Sequence, residues 1–355
     1  MVTLAKLETF AAEGIEVTVI QPSEYHYYSG MGPGMLGGTY SADDIRFATR
    51  KQVEARGAKF VLGKAEKIDA EKQLVYLEGE DTALPYDVLS CNAGSYVPDD
   101  LVARKSENIF YSKPIEELQR AKESILRMAA TKEFTIAVIG SGPSAIEISG
   151  NIHQLCRQHG AVMPKIQLFS GSSFMSNRPE KVRKLVRQTL LKKGISILQA
   201  GRVIRVEGTQ IFLKSGEMYE ADLIFPAVGV KPSAIFAASG LPVGPDGGLL
   251  VNDYLQSVNF SNIFGGGDCI HFSSQPLDKV GVYAVRQNHV LYNNLMASLK
   301  GKVLEKFDPG GKYLLIYNLG DGDGVFSKWF LTFGGKLAFR IKDYIDRKFI
   351  TAFQS

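Results

Sequence analysis

The chain is poor in cysteine, in unbalanced charge and in long apolar runs, and each shortage excludes a class of function. Its 355 residues hold three cysteines, Cys91, Cys156 and Cys269, odd in number and far apart. No Cys-x-x-Cys or Cys-x4-Cys pair exists, which excludes a short-spaced redox disulfide and makes a reducing, cytoplasmic compartment the expectation. The 41 basic and 37 acidic residues leave a formal charge of +4, too small to argue for nucleic acid. No run of about 18 apolar residues could span a bilayer, and nothing at the N-terminus resembles a signal peptide. The remaining make-up, 45% hydrophobic and 22% charged, is that of a globular protein, and the length predicts two or three modules.

A further shortage is structural. Residues 1–14 read as one amphipathic helix, with Leu4, Leu7 and Phe10 as its apolar stripe and Gly14 as its C-cap. Glu16 to Ile20 then reads as a strand ending at Gln21-Pro22. A helix followed by a buried strand is the back half of a β-α-β unit, and its first strand and glycine turn are missing.

Residues 134–150 supply in full what the N-terminal stretch lacks. Phe134 to Ile139 is a nearly all-apolar run, as expected for a parallel strand buried on both faces. It stops at Gly140-Ser141-Gly142, and a helical pattern opens through Ala145, Ile148, Ile152 and Leu155. Gly140 permits a tight turn, Gly142 lets a pyrophosphate approach the backbone, and Ala145 takes the third fingerprint position for close helix–strand packing. The helix N-terminus offers free N–H groups and a partial positive charge, so a dinucleotide site is predicted here.

Elsewhere the pattern repeats. Tyr86 to Ser95 is a strand running into the turn Ala93-Gly94-Ser95, and Ala221 to Gly229 does the same; each follows a small β meander. Two nucleotide-binding folds built alike are therefore expected. Residues 25–38, crowded with glycines and aromatics, read as a loop packed against something flat, and 41–56 as a capped helix. Lys165 to Phe169 is a strand followed by Ser170-Gly171-Ser172-Ser173, with Arg178 nearby and no acid to hold a ribose, which leaves NADPH open beside NADH. Ile263 to Cys269 is a strand into a turn bearing Gly267 and Asp268, and Val280 to Leu299 is a helix. In the tail, Leu337, Ile341, Ile345, Phe349 and Phe353 recur at helical spacing. The segment 325–353 reads as a membrane-surface helix or a packing helix, with Asp343 and Asp346 favouring packing.

Together these pieces resemble the two-dinucleotide-fold flavoprotein reductases, specifically those like type II NADH:quinone dehydrogenases and the related proteins sometimes fused to selenophosphate synthetase. The resemblance runs from Ile15 to Phe353. It rests on Tyr25-His26-Tyr27-Tyr28-Ser29-Gly30-Met31, Tyr86-Asp87-Val88-Leu89, Lys113-Pro114-Ile115, the central glycine motif with Glu147, Gly266-Gly267-Asp268, Gly281 through Gln287, and the tail Trp329 with Lys342-Asp343-Tyr344-Ile345-Asp346. It implies an α/β, glutathione-reductase-like architecture of two Rossmann-like folds, the first lacking its initial strand and glycine turn, plus a C-terminal aromatic and basic segment. The implied parts are an FAD-binding domain in two pieces (1–118 and 244–310), an NAD(P)H-binding domain (119–243) and a packing or membrane-surface segment (311–355).

The implied activity is a hydride passed from NAD(P)H to FAD and on to a quinone-like acceptor, with no need for a metal. Asp268 would bond the ribityl-phosphate region, with Gly267 on the same turn, and Gly94 and Ser95 would pass near the flavin nucleotide. Lys113 would lie beside the isoalloxazine. Gln287 would lie near the ring and the quinone pocket, and Glu147 would face the nicotinamide, with Gly140, Gly142, Ala145 and Gly229 in the second nucleotide fold. The missing glycine turn implies an N-terminally shortened enzyme, with an apolar seam that would favour low solubility or a homodimer. Two alternatives stand beside this reading. One is a sulfide:quinone reductase using Cys156 and Cys269; the other is a non-catalytic remnant that binds a nucleotide or partner without holding FAD tightly. His26 and His289 are candidate proton donors to a quinone, although lone histidines are more often structural.

Overall fold

The computed structural model describes residues 1–80, 82–104 and 106–354. Residues 1–14 form two short turns, Val2–Ala5 and Leu7–Ala12, rather than one helix, because the backbone leaves the helical path at Lys6. The break lets the stripe serve two cores: Leu7 packs with Val53 and Phe60, while Val2 and Phe10 join a cluster with Phe264, Leu291 and Tyr292. Strand β1 (Thr18–Gln21) follows.

The glycine-rich stretch expected as a loop is partly helical. Helix α1 (Gly32–Leu36) is buried throughout. Its glycines bring it close to its neighbours: a Cβ on Gly34 would strike the Tyr40 ring, and one on Gly37 the Asn151 side chain. The helix expected over 41–56 is likewise interrupted. Asp43–Ile45 is a single 3-10 turn, Arg46–Phe47 pairs antiparallel with His26–Tyr27, and the α-helix covers Thr49–Ala55.

β1 pairs in parallel with β2 (Lys59–Leu62), and β3 (Leu89–Cys91) belongs to a separate parallel pair. Helix α2 (Glu116–Ala129) leads into the central unit: β4 (Thr135–Ile139), α3 (Pro143–Gln158), β5 (Lys165–Phe169), α4 (Glu180–Lys192), β6 (Ser196–Leu198) and β7 (Leu223–Pro226). Its sheet is continuous and parallel, in the order β6-β5-β4-β7. β4 is apolar and buried on both faces, as a central parallel strand must be. Three antiparallel strands, Val203–Glu207, Gln210–Leu213 and Met218–Glu220, precede β7, just as Ala65–Asp69, Leu74–Leu77 and Ala83–Pro85 precede β3. The repeat is real.

β8 (Ile263–Gly265) is the partner of β3, and α5 (Gly281–Leu299) packs against the turn after β8. If β1, β2 and β3 are matched to β5, β6 and β7, a strand equivalent to β4 would stand between β1 and β3. No described strand does so, and the N-terminal fold is two separate parallel pairs.

The tail is more than one helix. An antiparallel sheet of β9 (Leu315–Asn318), β10 (Gly324–Lys328) and β11 (Leu331–Gly335) precedes α6 (Lys336–Gln354). Tyr317, Leu319, Val325 and Ile350 enter the same core as α2 and α3. Gly150 on α3 and Gly320 after β9 lie backbone to backbone, where a Cβ on either would strike the facing carbonyl. The expected apolar stripe of α6 is divided: Phe349 and Phe353 pack inward, whereas Leu337 and Ile345 are exposed.

Candidate functional site

One cavity of about 1750 Å³ runs between the two nucleotide folds and the tail. Single small-molecule sites occupy roughly 300–1,000 Å³, so this one has room for more than one ligand. Its walls come from three directions.

The first wall is the glycine turn. Gly140 has φ +137°, and a Cβ there would meet the Ala227 carbonyl oxygen at the end of β7 and press on Ala145. Only glycine lets β4 and β7 close together at this point. Gly142 is the N-cap of α3, with no side-chain cap, and a Cβ on it would meet nothing within 4 Å. Pro143 follows at the first helical position. The first turn of α3 therefore presents its amides to open space, which is the donor set a pyrophosphate requires. Gly229, after β7, lines the same space at φ +107°.

The second wall carries Lys113 and Asp268, which close a triangle with Ser95, itself not on the cavity surface. Lys113 Nζ donates to Ser95 Oγ (2.7 Å) and to Asp268 Oδ2 (2.9 Å), and Ser95 Oγ donates to Asp268 Oδ2 (2.7 Å). The three residues come from the loop before α2, the turn after β3 and the turn after β8. Gln287, predicted beside the ring, is instead buried and stands behind this wall. Its Oε1 accepts from the Gly267 amide at 2.6 Å, so it fixes the Gly266-Gly267-Asp268 turn and does not face the cavity. Gly94 has φ +65° and its carbonyl accepts from Ser233. Ala145 supports Gly140 from the core.

In the third wall the sequence points to Glu147 but not to its meeting with Lys342 and Asp346. Glu147, buried on α3, accepts from the Asn318 amide of β9 at 2.7 Å. Burial, opposed by the charge of Lys342 and that hydrogen bond, raises its carboxyl to about 7. Lys342 on α6 donates to Asp346 Oδ2 (2.7 Å) and to the Gly30 carbonyl (2.9 Å). Although burial opposes its charge, Asp346 and Glu147 hold the Lys342 ammonium above its ordinary value. Tyr28 donates to Asp346 Oδ1 at 3.2 Å, and burial followed by Asp346 pushes its phenol well up. Lys342 and Asp346 sit one helical turn apart on the tail helix. The i,i+4 spacing and the family resemblance of Lys342 to Asp346 both mark the pair, but neither says what it faces.

His26 stacks on Phe47 with centroids 6.2 Å apart, and neither it nor His289 lines the cavity. Cys156 and Cys269 are buried in different cores, and burial raises both thiols to about 11. Neither is a ready thiolate, and nothing pairs the two.

The pyridine nucleotide-disulphide oxidoreductase family model matches residues 3–289. The chain belongs to that family. It is 26% identical over 284 residues to ferroptosis suppressor protein 1 of Xenopus laevis, covering 75% of this chain and 70% of the relative. It is 24% identical over 377 residues to a type II NADH:quinone oxidoreductase of Staphylococcus aureus, covering 98% and 91%. The fold matches NDH2 of Plasmodium falciparum, solved in complex with NADH, at a TM-score of 0.82 and 13% identity over 99% of this chain and 94% of that one. The two-fold α/β architecture is that of the flavin- and nicotinamide-dependent oxidoreductases.

Proposed function

We propose that the chain is an FAD-dependent NAD(P)H oxidoreductase that reduces a quinone. The observation that carries this reading is the shared cavity, with a bare helix N-terminus on one wall, the Ser95–Lys113–Asp268 triangle on another, and the buried Glu147–Lys342–Asp346 group where they meet. The residues fit a flavin. Asp268 and Lys113 line the cavity as a charged, hydrogen-bonding pair that Ser95 ties together, and the Gly267 amide turn is held rigid by Gln287. Bound there, FAD supplies the hydride and electron chemistry that no side chain of the site can supply.

The protein's part is binding, orientation and proton handling. The first-turn amides of α3 and the open face of Gly142 bind the nicotinamide nucleotide's pyrophosphate. Glu147, poised near neutrality, holds a proton where a quinone needs one, and Lys342 fixes the charge balance around it. Tyr28 and Asp346 close the inner end against water.

The mouth suits a hydrophobic acceptor. Trp329, Ile345 and Lys328 line the cavity, and Trp329 (68% exposed), Phe330 (92%), Leu337 and Tyr344 continue outward as an exposed aromatic and aliphatic surface. Lys328 lies 4.4 Å from the Trp329 ring centroid. Aromatics with adjoining cations are the make-up of a surface that sits at the lipid headgroups, and we read this one as a peripheral membrane contact. No helix among the described residues is long and apolar enough to cross a membrane.

The test is an anaerobic absorbance titration of the purified chain incubated with FAD. Flavin bands that bleach with NADH or NADPH and return when a short-chain quinone is added are expected. A folded protein that retains no flavin would overturn the reading in favour of a non-catalytic nucleotide-binding protein. Bleaching that a quinone does not reverse would overturn the acceptor alone.

A further inference from the structure

The rim of the cavity beyond β5 has a chemistry that the reading above leaves unused. A site that takes NADH places an acid at the end of this strand to accept both ribose hydroxyls; a site that takes NADPH replaces it with a cation and neutral donors. Here β5 ends at Phe169, and the next residue, Ser170, is buried with its hydroxyl turned to the Leu198 carbonyl at 3.2 Å. Ser172 and Ser173 follow, exposed and lining the cavity. Gly171 forms an isolated bridge with Gly201, which brings Arg202 to the same rim.

Arg202 is exposed, and among the described residues its guanidinium has no hydrogen-bond, ion-pair or ring partner. The neighbouring cations are committed elsewhere: Arg178 to Tyr313, with Tyr317 and Asp278 close by, and Lys231 to Asp100 at 2.9 Å. The acids on the cavity wall are Asp100, Glu147, Asp268, Asp278 and Asp346, and none belongs to the loop after β5.

We propose that Ser172, Ser173 and Arg202 form a 2′-phosphate site and that the chain selects NADPH over NADH. The inference rests on the nicotinamide-nucleotide reading of this cavity. Two hydroxyls and a planar fork of donors match the oxygens of a phosphomonoester, whereas a bare ribose leaves the guanidinium unused. An aspartate in the loop after β5 would repel the same phosphate, and residues 170–173 carry none.

The experiment measures binding of 2′,5′-ADP and 5′-AMP to the purified full chain by calorimetry. Neither fragment needs flavin or an acceptor. Binding of 2′,5′-ADP tighter by about tenfold or more is expected, with the margin shrinking as salt is raised. Arg202→Ala should bring the ratio close to one, and Ser172→Glu should invert it. Because Arg202 is exposed and unpartnered, an unchanged melting temperature will show that its removal leaves the fold alone. Equal binding of the two fragments, or a preference that survives Arg202→Ala, would overturn the inference. If the preference holds but neither NADPH nor NADH bleaches bound flavin, the oxidoreductase reading fails and the phosphate site stands. Bleaching by both nucleotides at equal efficiency does the reverse.

Discussion

The two nucleotide folds are built from the same parts but hold their sites together differently. In the central fold four parallel strands are continuous, and the site is made by backbone: a glycine turn, bare helix amides and the close approach of β4 to β7. In the N-terminal fold the sheet is two separate pairs, and the site is made by side chains: Asp268, Lys113 and Ser95 in a closed triangle, with Gln287 behind them. The glycine turn depends on the room around its backbone and does not tolerate an added atom at Gly140. A side-chain site tolerates added atoms at its edge but no loss of charge. The predictions below test that contrast.

The largest effect is expected at Gly140. An alanine there must adopt φ +137° and must push its Cβ into the Ala227 carbonyl. Backbone strain and overpacking together cost on the order of 3 kcal/mol. Gly140→Ala should lower the melting temperature by many degrees and abolish flavin reduction by NADPH, while Gly142→Ala, whose Cβ enters open space, should keep the fold and weaken nucleotide binding. Equal stability of the two variants would break the comparison.

Next comes Asp268→Asn. The exchange keeps the shape and removes the charge opposite Lys113, whose side chain is three-quarters covered (23% exposed). A loss of about 1–3 kcal/mol follows from leaving that cation without its carboxylate. Flavin content should fall sharply, whereas 2′,5′-ADP binding at the other fold should be unchanged. Retention of full flavin by the variant would show that the triangle is scaffolding and not a cradle.

Much of this was legible in the sequence. The strand, glycine turn and helix around Gly140, and the strand–turn repeats ending in Gly94 and Gly229, declare themselves because backbone demands are met by particular residues in a row. Asp268 was legible for the same reason, sitting in a glycine turn at a strand end. The third wall was legible only in Glu147. Lys342 and Asp346 lie nearly 200 residues further on and meet it only because the β9–β11 sheet docks on α3 through Gly150 and Gly320. Nothing in local spacing encodes that docking. Gln287 was legible as a residue of helix α5, but not its bond to the Gly267 amide, since a period of 3.6 does not say which polar group the buried face will meet. The glycines of α1 misled for a related reason: they serve close packing in a helix, where composition suggests a loop.

Glu147 gives a smaller effect that depends on pH. Its carboxyl titrates near 7 in the fold against an ordinary 4.5, so across that interval the native chain holds a proton that the unfolded chain has released. Stability is therefore greatest at the acid end, falls as pH rises from about 4.5 to 7, and levels off above. The drop is on the order of 3 kcal/mol for this one group. Glu147→Gln should flatten that part of the melting curve against pH and slow quinone-dependent reoxidation while sparing bleaching by NADPH. A variant that keeps the wild-type slope would assign the pH dependence to other groups.

The least effect on the fold, and a clear one on location, is expected in the tail. α6 has an inner face, where Asp346 and Ile350 are buried, and an outer one, where Leu337 and Tyr344 are more than 60% exposed beside Phe330 at 92%. Phe330→Ser removes an aromatic ring that touches little protein, so stability should move by no more than about 0.5 kcal/mol. Ile350→Ala, which opens a cavity among α2, α3 and the tail, should cost several times that. If the outer face meets lipid, Phe330→Ser will lower co-sedimentation with anionic vesicles, and adding Leu337→Ser will lower it further, with turnover of a water-soluble quinone unaltered. Vesicle binding that survives both changes would move the hydrophobic mouth of the cavity away from the membrane and leave the exposed aromatics to a protein surface.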